Sequence, residues 1–150
     1  MSIILVVLMA SGLFSTPQTT YCEGVPITIQ GNEGTDNPDV MNGLNWDDTM
    51  HGYGDQDYMC GGPDNDTIYG NGGADHLYGQ RGSDTLYGGN GSDQLEGGDG
   101  NDWLFDGLGH DYLIGDAGYD IAVMCSSDGW ADYLEIDEAT IEEVQIGPVC

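Results

Sequence analysis

One apolar residue recurs at every ninth position from Met41 onward: Met41, Met50, Met59, Ile68, Leu77, Leu86, Leu95, Leu104, Leu113 and the smaller Ala122. Two residues before each stands an aspartate: Asp39, Asp48, Asp57, Asp66, Asp75, Asp84, Asp93, Asp102, Asp111 and Asp120. Residues 34–123 thus divide into ten nine-residue units without insertion or deletion. An internal repeat of this kind sets the architecture of the segment that carries it. Read along one unit, such as Gly88 to Glu96, the pattern predicts a six-residue turn followed by a three-residue strand. Strand side chains alternate, so position eight points inward and positions seven and nine outward. Two units make one coil of eighteen residues, with turns on opposite sides and short strands stacking into two parallel sheets. The expected fold class is all-β.

The turns carry the chemistry. Position one is glycine in nine units of ten, including Gly61, Gly70, Gly79, Gly88, Gly97 and Gly115, with Asp106 the exception. Position four is glycine in the last six units, at Gly73, Gly82, Gly91, Gly100, Gly109 and Gly118. Such glycines permit positive φ and let carbonyls crowd around a common point. The aspartate adds a charged oxygen to that ring. Hard oxygen donors, with no thiolate or imidazole at a fixed offset, suit Ca²⁺ far better than zinc or copper.

On these residues the block resembles the hemolysin-type, or RTX, calcium-binding repeat. The resemblance covers ninety of the 150 residues. It implies a parallel β-roll, a right-handed β-helix of eighteen-residue coils, in which each Ca²⁺ sits between successive turns on the same side. The implied ligands are the ten aspartates and the carbonyls of the glycine turns. Ten turns give five per side, hence at most four sites per side and eight in all. Residues 34–123 hold eighteen Asp or Glu and one Arg, a formal −17, against +16 from eight calcium ions.

That balance predicts the behaviour without metal. Stacked turns repeat at about 4.8 Å. Two bare carboxylates about 5 Å apart, at an effective dielectric of about 20, repel by roughly 3 kcal/mol. Several such pairs exceed the stability of a small domain, so the chain is expected to fold as Ca²⁺ binds.

Composition narrows the function further. The net charge is −26 and Arg81 is the only Lys or Arg, which excludes the electrostatic footprint of a nucleic-acid binder and argues against docking on anionic lipid. About 130 residues after processing suit one domain and leave no room for a separate catalytic one. His51, His76 and His110 occupy unrelated unit positions, and no nucleophile elbow, phosphate loop or HExxH motif occurs. The expectation is that the chain is not an enzyme.

Residues 3–14 form an apolar run too short to span a bilayer, and residues 1–20 read as a secretory signal, which implies a secreted, extracellular protein without stable membrane insertion once it is removed. Residues 21–33 are expected to cap the open end of the roll, with Val25 to Gln30 as a strand. Gly31 to Asp36 offers a second turn register, so the first turn is expected to be irregular. Position four is Asn37, Trp46, Asp55 and Asp64 in the first four units. Asn and Asp tolerate the left-handed conformation and Trp does not, so the turn holding Trp46 is expected to depart from the rest. Four cysteines in an exported chain point to two disulfides, with three pairings open: Cys60 ends the third unit at an outward position and Cys22 opens the segment expected to cover the first coil, which favours Cys22 with Cys60, and Cys125 with Cys150 would close the tail into a loop. In the tail, residues 124–150, two short strands joined by a turn are expected to seal the last coil.

Outward positions seven and nine of the even units place Thr67, Thr85 and Trp103 in one file and Tyr69, Tyr87 and Phe105 in another. Such rings either stabilise a sheet by cross-strand pairing or stack on sugars or a partner. The functional expectation is therefore a secreted calcium-binding protein. The alternatives are a calcium-stabilised adhesin or carbohydrate-binding module that meets extracellular polysaccharide or a cell surface through this face, and a non-catalytic accessory part of a secreted toxin or polysaccharide-modifying enzyme.

Overall fold

The computed structural model describes residues 21–125, 133–135 and 141–147. The expected signal and Cys150 lie outside the described residues. A short antiparallel hairpin comes first, β1 (Tyr21–Cys22) with β2 (Val25–Pro26). Every other strand belongs to one of two parallel sheets. The seven-stranded sheet runs β14 (Tyr133–Glu135), β12 (Tyr112–Ala117), β10 (Gln94–Asp99), β8 (His76–Arg81), β6 (Tyr58–Gly62), β4 (Val40–Asn42) and β3 (Ile29–Gln30). The six-stranded sheet runs β15 (Ile141–Gly147), β13 (Asp120–Cys125), β11 (Trp103–Gly109), β9 (Thr85–Gly91), β7 (Thr67–Gly73) and β5 (Thr49–Tyr53). No helix occurs among the described residues.

Within the array the register is the one the period predicts. Met50 pairs with Ile68, Ile68 with Leu86 and Leu86 with Leu104, each one coil apart. The ten position-eight residues, Met41 to Ala122, meet between the sheets as one fully buried column. Burying an aliphatic side chain contributes about 1.5–3 kcal/mol, and one such residue per half-coil is the whole core of the array.

Three expectations need correction. The strands are longer than three residues, up to seven in β7, β9 and β11. Pairing continues into the next turn, where Asn71, Gly89 and Gly107 stack in register, because glycine-rich backbone packs coil on coil without side chains between. At the N-terminal end the expected strand from Val25 to Gln30 is split. Val25 and Pro26 turn back onto Tyr21 and Cys22, and the hairpin covers the outer face of the seven-stranded sheet through Cys22, Val25, Val40, Cys60, Tyr58 and Tyr78. Ile29 pairs with Met41 and Glu33 bridges His51, so the cap is this irregular half-coil. At the other end β14 and β15 do not pair with each other. Tyr133 joins Tyr112 and Ile141 joins Asp120, each in parallel, with a bulge between Asp120 and Ile121. An open parallel edge presents unpaired N–H and C=O groups, and each sheet recruits its own strand to cover them.

Candidate metal centre

The position-six aspartates face inward at the turns. Seven of them, Asp57, Asp66, Asp75, Asp84, Asp93, Asp102 and Asp120, are no more than 2 % exposed, as is Asp111. Each of these eight receives on Oδ1 the backbone N–H of the aspartate one coil earlier: Asp39 donates to Asp57 at 2.9 Å, Asp48 to Asp66 at 2.8 Å, and the series continues to Asp102 donating to Asp120 at 2.9 Å. Four such bonds run up each edge of the roll. The second oxygen, Oδ2, of Asp57, Asp66, Asp75, Asp84, Asp93, Asp102 and Asp120 is buried and accepts no hydrogen bond. Leaving a buried carboxylate oxygen without a partner is costly.

Main-chain carbonyls converge beside that oxygen. At Gly79, a Cβ would stand 2.5 Å from Asp84 Oδ2 and 2.5 Å from the Gly97 carbonyl of the next coil. At Gly70 the corresponding distances are 2.5 Å to Asp75 Oδ2 and 2.6 Å to the Gly88 carbonyl, and at Gly97 they are 2.5 Å to Asp102 Oδ2 and 2.8 Å to the Gly115 carbonyl. Position one is therefore glycine to leave a cradle of oxygens open, and not for its φ, which is not left-handed there. Position four is tighter still, since a Cβ at Gly91, Gly100, Gly109 or Gly118 would lie 1.4 Å from the carbonyl below it.

Electrostatics single out the same groups. Burial pushes the carboxyls of Asp57, Asp66, Asp93 and Asp102 up to about 7 and that of Asp84 to about 6, with the backbone N–H on Oδ1 opposing the shift. Neighbouring aspartates along the edge push Asp57, Asp66, Asp93 and Asp102 further in the same direction. Asp75 and Asp120 are raised by burial as well. A carboxylate so placed calls for a proton or a cation on its bare oxygen. One carboxylate with several carbonyls is an oxygen donor set that fits Ca²⁺.

Comparison with known sequences agrees with this chemistry. The sequence model of the RTX calcium-binding nonapeptide repeat, four copies long, matches residues 33–68, 61–95 and 87–122. The chain belongs to this family. Its repeats are structural calcium-binding units and the RTX roll is the fold they build. No curated protein and no solved structure matches the chain.

The roll does not treat all predicted residues alike. Asp39 and Asp48 open the two edges, and both are satisfied locally. Asp39 Oδ2 accepts the Thr35 N–H at 2.7 Å and the Thr35 hydroxyl at 2.9 Å, and Asp48 Oδ2 accepts the Leu44 N–H at 2.6 Å. Asp55 and Asp64 take the left-handed conformation at position four, with φ of 62° and 78°, whereas Asn37 and Trp46 do not. Trp46 is 76 % exposed, and its turn is irregular as expected. Asp106 fills the one position-one site that lacks glycine, and its carboxylate accepts the Cys125 N–H at 2.9 and 3.0 Å.

Position two escaped the sequence reading. Tyr53, Asn71, Gln80 and Asp116 are left-handed there, as are Gly62, Gly89, Gly98 and Gly107. The signal was present in those four glycines, but side chains at the other units hid it. A second ladder also went unread: the position-five side chains Asp47, Asn65, Ser83 and Asn101 each accept the N–H of position five one coil later along one edge.

The outward rings form a continuous stack. His51 and Tyr69 are 4.7 Å apart at 7°, Tyr69 and Tyr87 4.7 Å at 5°, and Tyr87 and Phe105 4.6 Å at 12°. Both faces of Tyr69 and Tyr87 are therefore occupied by neighbouring rings, which leaves only edges for solvent and favours the sheet-stabilising role. Cys22 and Cys60 are joined by a disulfide, and Cys125 is disulfide-bonded too.

Proposed function

We propose that this chain is a secreted calcium-binding protein that folds as it takes up Ca²⁺, with one ion for each stacked pair of turns, four on each edge. The observation that carries the reading is the row of buried Oδ2 atoms without partners, with a carbonyl of the next coil converging on the same point at Asp57, Asp75, Asp84, Asp93 and Asp102. Asp57, Asp66, Asp75, Asp84, Asp93, Asp102, Asp111 and Asp120 hold the ions together with carbonyls of the position-one and position-four residues. When bound, the cation supplies the positive charge that the Oδ2 row lacks. Folding and binding are then one equilibrium. The apolar run at residues 3–14 and the Cys22–Cys60 disulfide support work outside the cell. The role is structural and binding, not catalytic.

Titrating Ca²⁺ into chelated protein under far-ultraviolet circular dichroism, with Mg²⁺ as control, tests this. A cooperative gain of β-structure with Ca²⁺ alone, at the high micromolar to millimolar levels of extracellular sites, is the expected result. Full β-structure in chelator sinks it.

A further inference from the structure

The two ends of each edge differ in what satisfies the aspartates, and the difference has a place in folding. In the turns from Asp57 onward, seven Oδ2 atoms lack a donor. In the first two turns the corresponding atom is already capped: Asp39 by Thr35, whose hydroxyl also accepts the Asn37 N–H at 3.1 Å, and Asp48 by the Leu44 N–H. Asp48 Oδ1 takes a further bond from the Asn32 amide at 3.2 Å. These are turns closed by protein donors, with no bare oxygen waiting for a cation.

The same region is also held from outside. The Cys22–Cys60 disulfide ties the hairpin to the third unit across a sequence separation of 38 residues. Beneath it Cys22, Val40 and Cys60 form a second buried cluster, apart from the central column, against which Val25, Tyr58 and Tyr78 pack. Thr28 clamps Val40 from both sides: its N–H donates to the Val40 carbonyl at 2.9 Å and its hydroxyl accepts the Val40 N–H at 2.7 Å. This end of the roll thus combines a covalent tie, a separate apolar cluster and capped aspartates.

We infer that residues 22–51, together with the strand Tyr58–Gly62 that the disulfide holds against them, form a calcium-independent seed, whose exposed coil edge templates the calcium-dependent turns that begin at Asp57. The inference rests on the reading that the later turns hold calcium. Forming the first coil is the costly step in any stacked array, since each repeat gains most from an existing neighbour. A disulfide lowers that cost by restricting the unfolded chain. Metal then has only to add coils to a surface already in register.

Amide hydrogen exchange on the purified chain in chelator provides the test. The expected result is slowed exchange at Val40, His51, Tyr58 and Gly43, whose N–H groups bond between coils, beside fast exchange at Gln94, Trp103 and Tyr112. Replacing both Cys22 and Cys60 by serine removes that protection and raises the calcium midpoint by about twofold, because the loss is shared over several ions. In the unaltered chain, uniformly fast exchange in chelator overturns the seed and leaves calcium-driven folding standing. Uniformly slow exchange overturns the calcium-folding reading beneath it. Asp39→Asn separates the two further: it leaves the number of bound ions unchanged if the first turn is closed by Thr35, and a lower number overturns the inference.

Discussion

The Asp75 N–H donates to Asp93 Oδ1 at 2.8 Å, one coil away, and Asp93 Oδ2 is left buried without a donor. One carboxylate therefore does two jobs: one oxygen ties coil to coil, and the other faces the carbonyl cradle beside Gly88. A neutral amide can keep the first role but not the second.

Asp93→Asn is accordingly expected to keep the inter-coil bond through its amide oxygen and to lose one calcium ion. Isothermal titration calorimetry should show one ion fewer and a higher calcium midpoint. An unchanged ion count would falsify the ligand assignment for this turn.

Proton linkage follows from the raised carboxyls. Ordinary aspartate titrates near 3.9, whereas Asp57, Asp66, Asp93 and Asp102 in the roll titrate at about 7 and Asp84 at about 6, chiefly through burial. A group with a raised folded value binds its proton more tightly in the folded state, so its stabilisation is complete below about pH 4 and is lost as pH rises through 6 to 7. The metal-free roll is thus expected to gain structure on acidification and to melt on neutralisation, while calcium affinity runs the opposite way and falls as protons compete for the same oxygens. Circular dichroism against pH, in chelator and in excess Ca²⁺, reads both limbs. Identical metal-free spectra at pH 4 and pH 8 would count against the assignment.

Glycine positions differ sharply in tolerance. Gly79→Ala drives a methyl against Asp84 Oδ2 and the Gly97 carbonyl, and is expected to cost about 2–3 kcal/mol or more together with a calcium site. Gly72→Ala meets its nearest atom, the Tyr53 carbonyl, at 3.6 Å with no left-handed φ. That change should be neutral or stabilise by up to about 1 kcal/mol. Thermal melts of the two variants in saturating Ca²⁺ give the comparison, and equal losses would contradict the cradle.

The ring stack predicts a stability effect without a binding effect. Tyr69→Ala interrupts His51 and Tyr87 on either side and is expected to cost about 1–2 kcal/mol. Glycan-array binding should be the same before and after. Loss of a glycan signal with an unchanged melting temperature would revive recognition through this face.

How much of this was legible in the sequence follows from the range of each interaction. In a stacked roll a residue meets mainly its counterparts one coil away, so the period itself determines the contact map. The column from Met41 to Ala122, the in-register aspartates, the irregular turn at Trp46 and the Cys22–Cys60 pair could be read from spacing and outward position alone. The tertiary structure decided what has no repeat to announce it. The hairpin over Tyr78, the split of Val25 from Ile29 and the separate destinations of Tyr133 and Ile141 depend on which sheet edge or face stands open, a property of the assembled roll. The left-handed backbone at Tyr53 and Gln80 is imposed by coil-on-coil stacking against local preference. The division between the capped Asp39 and Asp48 and the bare oxygens above them also comes only from the structure, because Thr35 and Leu44 at position two stay out of the left-handed conformation that their counterparts from Tyr53 onward adopt, and turn their N–H groups onto the aspartates instead.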